Sequence, residues 1–136
     1  MISERRTTSE VRVRYAETDQ MGVVYHAHYL VWCEVGRTDY IRALGLPYAE
    51  IERQGIRLAV ADARIRYVSP ARYDDRIHIR TWLERVQSRA VTFGYELTRV
   101  DGEDGTRIAT ATIKLIALDA SGVPCLLPAA LVRRFQ

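Results

Sequence analysis

Asp19 stands seven residues ahead of His26, inside the stretch YAETDQMGVVYHAHYLVWCE, residues 15–34. The apolar spacing after it predicts a helix over 26–44, yet residues 23–27 (Val, Val, Tyr, His, Ala) offer no Ser, Thr, Asp or Asn to cap it. The first N–H groups of such a helix need a partner from elsewhere. The His26 imidazole, water or a bound ligand can serve, and a ligand would meet an electropositive cradle suited to a developing oxyanion. Gly22 lets the intervening loop turn back tightly, bringing the Asp19 carboxylate over that helix end. A carboxylate facing unused donors is half of an acyl-transfer site, with a base or nucleophile on one side and hydrogen-bond donors on the other. The plainer alternative for Asp19 is a solvated loop acid forming an Asx turn.

Other chemistries find less support. His26 and His28 are two apart, which on a helix sends them to opposite sides and disfavours a zinc site. A calcium loop starting at Glu17 would need its bidentate Glu where His28 stands. Cys33 falls in the apolar stripe of the helix and reads as a buried small hydrophobe. No GxSxG elbow, GxxxxGK[ST] loop or GxGxxG fingerprint occurs.

The elements that must hold the site follow from periodicity. Residues 10–15 alternate, with Val11, Val13 and Tyr15 on one side, and predict a strand. Tyr29, Cys33, Gly36, Tyr40 and Leu44 form one helical stripe, widened by Leu30 and Ile41, and Gly45 and Pro47 stop the helix. A helical turn over Tyr48–Arg53 comes next. Strands are predicted at 56–67, 76–84, 89–99 and 107–118. The first of these switches its apolar phase near Val60–Ala63, the mark of a bulge or of a strand gripped on both faces. The Asp-Gly steps at 101–102 and 104–105 form a hairpin loop. Strand, helix and four strands make an α+β layer pair with a mostly antiparallel sheet.

The 136 residues, 48% hydrophobic and 27% charged, fit one domain over 1–136. Twenty basic residues against seventeen acids give +3, and Lys114 is the single lysine. The arginines are interleaved with acids along the chain, which speaks against nucleic-acid binding. No apolar run reaches the roughly 18–20 residues of a membrane span, and the N-terminal residues lack a signal-peptide core. Two cysteines without a CxxC point to a reducing cytoplasm.

The run Tyr15-x-Glu17-Thr18-Asp19-x-x-Gly22-x-Val24-Tyr25-His26-x-x-Tyr29-Leu30, with Glu34 beyond, resembles the signature of hotdog-fold acyl-CoA thioesterases. The branch is the one holding the 4-hydroxybenzoyl-CoA thioesterases and the short-chain acyl-CoA thioesterases associated with the Tol-Pal system. A second block, Pro70-Ala71-Arg72-Tyr73-Asp74-Asp75, resembles the same branch. The resemblance implies a hotdog fold, a five-stranded antiparallel sheet around one long helix, assembled as a homodimer or homotetramer with sites at the subunit interface. It implies a cytoplasmic hydrolase of short-chain or aromatic acyl-CoA, using no metal and no cofactor beyond the coenzyme A of the substrate. Asp19 becomes the catalytic carboxylate and the His26 backbone N–H the oxyanion donor. The His26 side chain caps the helix, orients Asp19 or assists a water. Tyr25 either walls the acyl pocket or is a plain core aromatic. Gly22 and Val24 are placed in the substrate-binding loop. Arg72 and Arg89 bind coenzyme A phosphates across the dimer or belong to a solvated face. Glu34 is a rival carboxylate or half of a structural ion pair. The alternatives are a thioesterase acting on a carrier-bound acyl group and a non-catalytic acyl-CoA-binding module. A hydratase with Asp-x-x-x-x-His is disfavoured, because five residues past Asp19 stands Val24.

Overall fold

Alternation puts Ile77, Ile79 and Leu83, then Val91, Phe93, Tyr95 and Leu97, then Ala109, Ala111, Ile113, Leu115 and Ala117 on one side of three neighbouring strands, all buried. One helix covers that side. A computed structural model describes residues 2–46, 48–103 and 105–136. The chain runs β1 (Arg6–Arg12), a 3₁₀ turn (Tyr15–Glu17), α1 (His28–Ala43), α2 (Tyr48–Arg53), β2 (Arg57–Tyr67), β3 (Arg76–Val86), β4 (Ala90–Arg99), β5 (Thr106–Leu118) and α3 (Ala129–Arg134). The five strands form one sheet in the order β1-β3-β4-β5-β2, every pairing antiparallel. The expected α+β arrangement of a five-stranded antiparallel sheet and one long helix is the one found.

Helix α1 lies mainly over β1 and β3 and touches β4. It buries Tyr29, Trp32, Cys33, Gly36, Tyr40 and Ile41. A β-carbon at Gly36 would run into Thr81 Oγ1 and Ile79 Cγ2, so glycine is what lets the helix approach β3 this closely. Gly45, at φ +87°, ends the helix as expected. Pro47 and Asp104, assigned to the helix stop and the β4–β5 hairpin, lie outside the described residues.

Four features correct the sequence reading. Strand β1 begins at Arg6 rather than 10, because its inward positions include Thr7 and Ser9, whose hydroxyls carry no hydrophobic period. Ser9 is buried and donates to Asp39 at 2.6 Å. Tyr15 sits in the 3₁₀ turn, exposed, instead of on the inner strand face. Leu30 is exposed, and Trp32 widens the helix stripe in its place. Helix α3 was not anticipated; it sends Leu131 into the core, and Phe135 just after it stacks edge-on against Phe93, 6.2 Å between ring centres.

The bulge expected near Val60–Ala63 is present as a register shift between Val60 and Asp62. Strand β2 is a sheet edge, and none of its residues is fully buried.

Candidate active site

The loop from β1 to α1 is tied down through its main chain. Val13 N–H donates to the Asp75 carbonyl (2.9 Å), Val24 N–H to that of Ala71 (2.8 Å) and Tyr25 N–H to that of Glu17 (2.8 Å). Within the loop, Asp19 N–H donates to the Val23 carbonyl and Gly22 N–H to that of Asp19. Gly22 makes this turn at φ +77°, a left-handed conformation that costs a β-carbon strain. Beneath the loop the Glu17 carboxylate, 4% exposed, accepts from Arg14 N–H at 2.8 Å and from Trp32 Nε1 at 3.1 Å. A buried charge with two donors is held rather than stranded. It pins the 3₁₀ turn to α1.

Asp19 is half-buried. Its Oδ1 accepts from Met21 N–H at 2.9 Å, so the Asx turn weighed as the plain alternative does form. The same side chain also lines a cleft of about 310 Å³ with Val24, His26, Tyr29, Tyr67, Ser69 and Pro70, among others. Among the described residues its Oδ2 has no hydrogen-bond partner.

Helix α1 starts two residues later than expected, with Ala27 as its N-cap and no side-chain cap bond. The missing cap read from the sequence is therefore real. His28 N–H donates to the Tyr25 carbonyl at 3.0 Å, making a β-turn with His26 and Ala27 as its central residues. In a trans peptide the C=O and N–H point oppositely. The bond to His28 thus fixes the Tyr25–His26 peptide with its N–H turned away from the helix. Among the described residues nothing accepts from the N–H of His26 or Ala27, and the His26 imidazole caps nothing. The next peptide is fixed as well, because the Tyr67 hydroxyl donates to the His26 carbonyl at 2.9 Å.

Aromatic rings wall the cleft. Tyr29 meets Tyr67 edge-on at 5.1 Å and Trp32 at 5.2 Å, and His26 meets Tyr67 at 6.3 Å. Burial pushes the Tyr29 phenol up, opposed by the Ala71 backbone and reinforced by Tyr67. Burial, then the Cys33 neighbour, push Tyr67 up too. Both therefore stay protonated donors near neutral pH.

Of the residues singled out from the sequence, Asp19, Val24 and His26 come together on this cleft. Gly22 shapes the turn without lining it. Tyr25 is 46% exposed outside, tilted against the His26 ring at 4.4 Å, so the core-aromatic alternative does not hold. Arg72 is exposed just beyond Ala71, its N–H bonded to Asp75 Oδ2. Arg89 is exposed in the β3–β4 connection at the opposite end of the sheet, so only another subunit could bring it to this cleft. Glu34 makes no ion pair among the described residues, contrary to the structural role expected for it; it lines a separate cavity farther along α1. Three contributors went unnoticed in the sequence: Tyr67, Ser69 and the Glu17–Trp32 pin. Among the described residues no cluster of His, Cys, Asp and Glu is arranged to hold a metal.

An antiparallel sheet wrapped on one helix, with a loop carboxylate over an uncapped helix start, defines a class. Residues 13–135 match the thioesterase-like superfamily model, and the chain belongs to that family. It is 46% identical over 94 residues (69% of the chain, 68% of the relative) to YneP of Bacillus subtilis, which carries the provisional name of an acyl-CoA thioesterase. It is 34% identical over 110 residues to the acyl-CoA thioesterase YbgC of Haemophilus influenzae, covering 80% of the chain and 78% of that protein. The crystal structure of the DHNA-CoA thioesterase from Staphylococcus aureus superposes with a TM-score of 0.85 at 36% identity, over 90% of this chain and 80% of that one. The chain is a thioester hydrolase of the hotdog fold, as the sequence signature implied. No helix among the described residues is long and apolar enough to cross a membrane.

Proposed function

We propose that the protein hydrolyses acyl-CoA thioesters to free acid and coenzyme A, with Asp19 and the His26 backbone N–H as the reacting pair. One observation carries this: Asp19, whose Oδ2 has no partner among the described residues, and His26, whose N–H has no acceptor among them, line the same cleft. With the thioester carbonyl oxygen on the His26 N–H, charge developing on that oxygen is stabilised by a donor already fixed in direction, which needs no reorganisation. Asp19 then acts in one of two ways. As nucleophile, Oδ2 bonds to the carbonyl carbon, the C–S bond breaks, the thiolate leaves and takes a proton, and water cleaves the mixed anhydride. As base, Asp19 takes a proton from a water whose oxygen attacks the same carbon, and the thiolate leaves with that proton. Tyr67 is a positioning residue, holding the peptide next to the donor. The scheme draws on no metal and no cofactor apart from the coenzyme A of the substrate.

Strand β2 supports a homodimer, itself able to form a tetramer. An eleven-residue edge strand with open N–H and C=O groups is a template for pairing, and Val60 and Tyr67 on it are about half exposed. The reading is tested with purified protein against aliphatic and aromatic acyl-CoAs, measuring free thiol. Release above the uncatalysed rate, abolished in Asp19→Asn, is expected. Tight binding without turnover would instead make the chain an acyl-CoA-binding module. A single turnover in oxygen-labelled water tests the nucleophile route, since label in Asp19 marks an anhydride opened at the aspartyl carbon.

A further inference from the structure

Three successive peptide groups set the direction of the His26 N–H, and each is held by a hydrogen bond. The Val24–Tyr25 peptide donates its N–H to the Glu17 carbonyl at 2.8 Å. The Tyr25–His26 peptide, which carries the His26 N–H, accepts from His28 N–H at 3.0 Å. The His26–Ala27 peptide accepts from the Tyr67 hydroxyl at 2.9 Å. Tyr67 thus fixes the peptide after the donor, and Glu17 the peptide before it.

Glu17 is fixed in turn by its own side chain. Residues 17–25 form a small hairpin, in which Thr18 and Val24 make an antiparallel bridge and Asp19 N–H donates to the Val23 carbonyl. At the base of this hairpin the buried Glu17 carboxylate places Oε1 on Arg14 N–H at 2.8 Å and Oε2 on Trp32 Nε1 at 3.1 Å. Trp32 stands one turn into α1. Helical side chains lean toward the N-terminus, so its indole reaches back over the helix start. The indole meets Tyr29 at 5.2 Å, and Tyr29 meets Tyr67 at 5.1 Å. These contacts close into a ring. It runs from Glu17 through Trp32, Tyr29 and Tyr67 to the His26 carbonyl, and returns through Tyr25 N–H to Glu17.

Taking a carboxylate out of water is costly, and apolar packing would hold a turn against a helix without that cost. What apolar packing lacks is direction. Two directional donors on two oxygens set one orientation of the turn against the helix. We propose that Glu17 is a positioning residue for the reaction, holding the His26 N–H in line for the thioester oxygen through its bond to Trp32. The inference rests on the reading of that N–H as oxyanion donor, and adds a residue outside the lining of the cleft.

The test measures kcat and KM in Glu17→Gln and Trp32→Phe, each also built on His26→Pro. The substrate is whichever of hexanoyl-CoA and benzoyl-CoA the wild type cleaves faster, and thermal melts establish that each variant is folded at the assay temperature. Gln keeps one acceptor and turns its own NH₂ on the other donor; Phe keeps a ring on Tyr29 and drops the indole N–H. A misplacement of about 1 Å costs about 100-fold, so each should lose about 10- to 100-fold in kcat, with KM within about threefold of the wild type. Glu17→Gln and Trp32→Phe combined should cost about what one costs alone, since both remove the same bond. On His26→Pro no donor remains to be misplaced, and the loss should shrink to about threefold or less. A residue that only stabilised the fold would lower kcat by the same factor on both backgrounds. Should Glu17→Gln not fold, Trp32→Phe carries the test. A folded variant with wild-type kcat, a loss confined to KM, multiplied losses in the combined variant, or equal losses on both backgrounds would each overturn the proposal. His26→Pro turning over as fast as His26→Ala would remove the donor reading itself, and a wild type cleaving neither thioester the hydrolase reading; this proposal falls with either.

Discussion

Replacing His26 by proline removes one hydrogen and little else. His26 is the first central residue of the β-turn closed by His28 N–H on the Tyr25 carbonyl, the turn position proline favours because its ring presets φ near −65°. Tyr25 follows the bridge residue Val24, an extended stretch of the kind a residue before proline prefers. No hydrogen bond among the described residues is lost with the His26 N–H, and proline restricts the unfolded chain, worth about 0.4–1 kcal/mol in favour of folding. His26→Ala is the control, since it sheds the same ring contacts with Tyr25 and Tyr67 and keeps the N–H. Loss of one oxyanion donor costs about 10²–10³-fold in kcat, about 2.7–4 kcal/mol. His26→Pro should therefore turn over 100-fold or more slowly than His26→Ala (about the lower bound just given), at a melting temperature equal to or above it. The assay is thiol release under saturating substrate, paired with thermal melts. Rates within about threefold of each other, under 1 kcal/mol of barrier, would refute the donor assignment.

Asp19→Asn keeps an acceptor for Met21 N–H, so it should melt like the wild type while kcat falls by about 10²–10⁴-fold, the usual contribution of a positioned acid or base. Glu17→Ala strands the Trp32 indole N–H and should cost about 2–3 kcal/mol, lowering the melting temperature by roughly 10 °C; an unchanged melt would remove the pin. Val60→Asp should shift sedimentation at micromolar protein from dimer to monomer and take activity with it. Burial pushes the Cys33 thiol up to about 12 from an ordinary 9.0. The stability this gives is intact below pH 9 and is lost as pH climbs from 9 toward 12, because the unfolded chain sheds that proton first. Native protein at pH 8 should be alkylated at Cys125 alone, and Cys33→Ala should flatten the alkaline fall in melting temperature.

What could be read in the sequence was whatever is local. The bare helix start and the Gly22 turn are decided within a few residues, and the structure has both, the helix beginning at His28 rather than His26. Asp19 was legible for the same reason. Tyr67 was not, since its bond to the His26 carbonyl spans 41 positions and depends on where β2 ends in the sheet. Hydrophobic period placed β2, β3, β4 and β5 but missed the start of β1, where Ser9 is buried by virtue of Asp39 rather than of apolar character. The terminal helix escaped because its six residues are too short for a period, and only tertiary contact buries Phe135.

The loop over the cleft is fastened by amide to carbonyl at Val13, Asp19, Gly22, Val24 and Tyr25, and only Gly22 among these positions demands a particular residue. Main-chain fastening is indifferent to side-chain identity. Gln20, Met21 and Val23 can therefore be exchanged with the frame of the loop intact, while Met21 and Val23 line the cleft. Lineages descended from such a chain can retune the acyl group accepted by drifting at those positions, with the proposed reacting pair inherited untouched. Diversity of substrate is then cheap for this architecture, and diversity of mechanism is not.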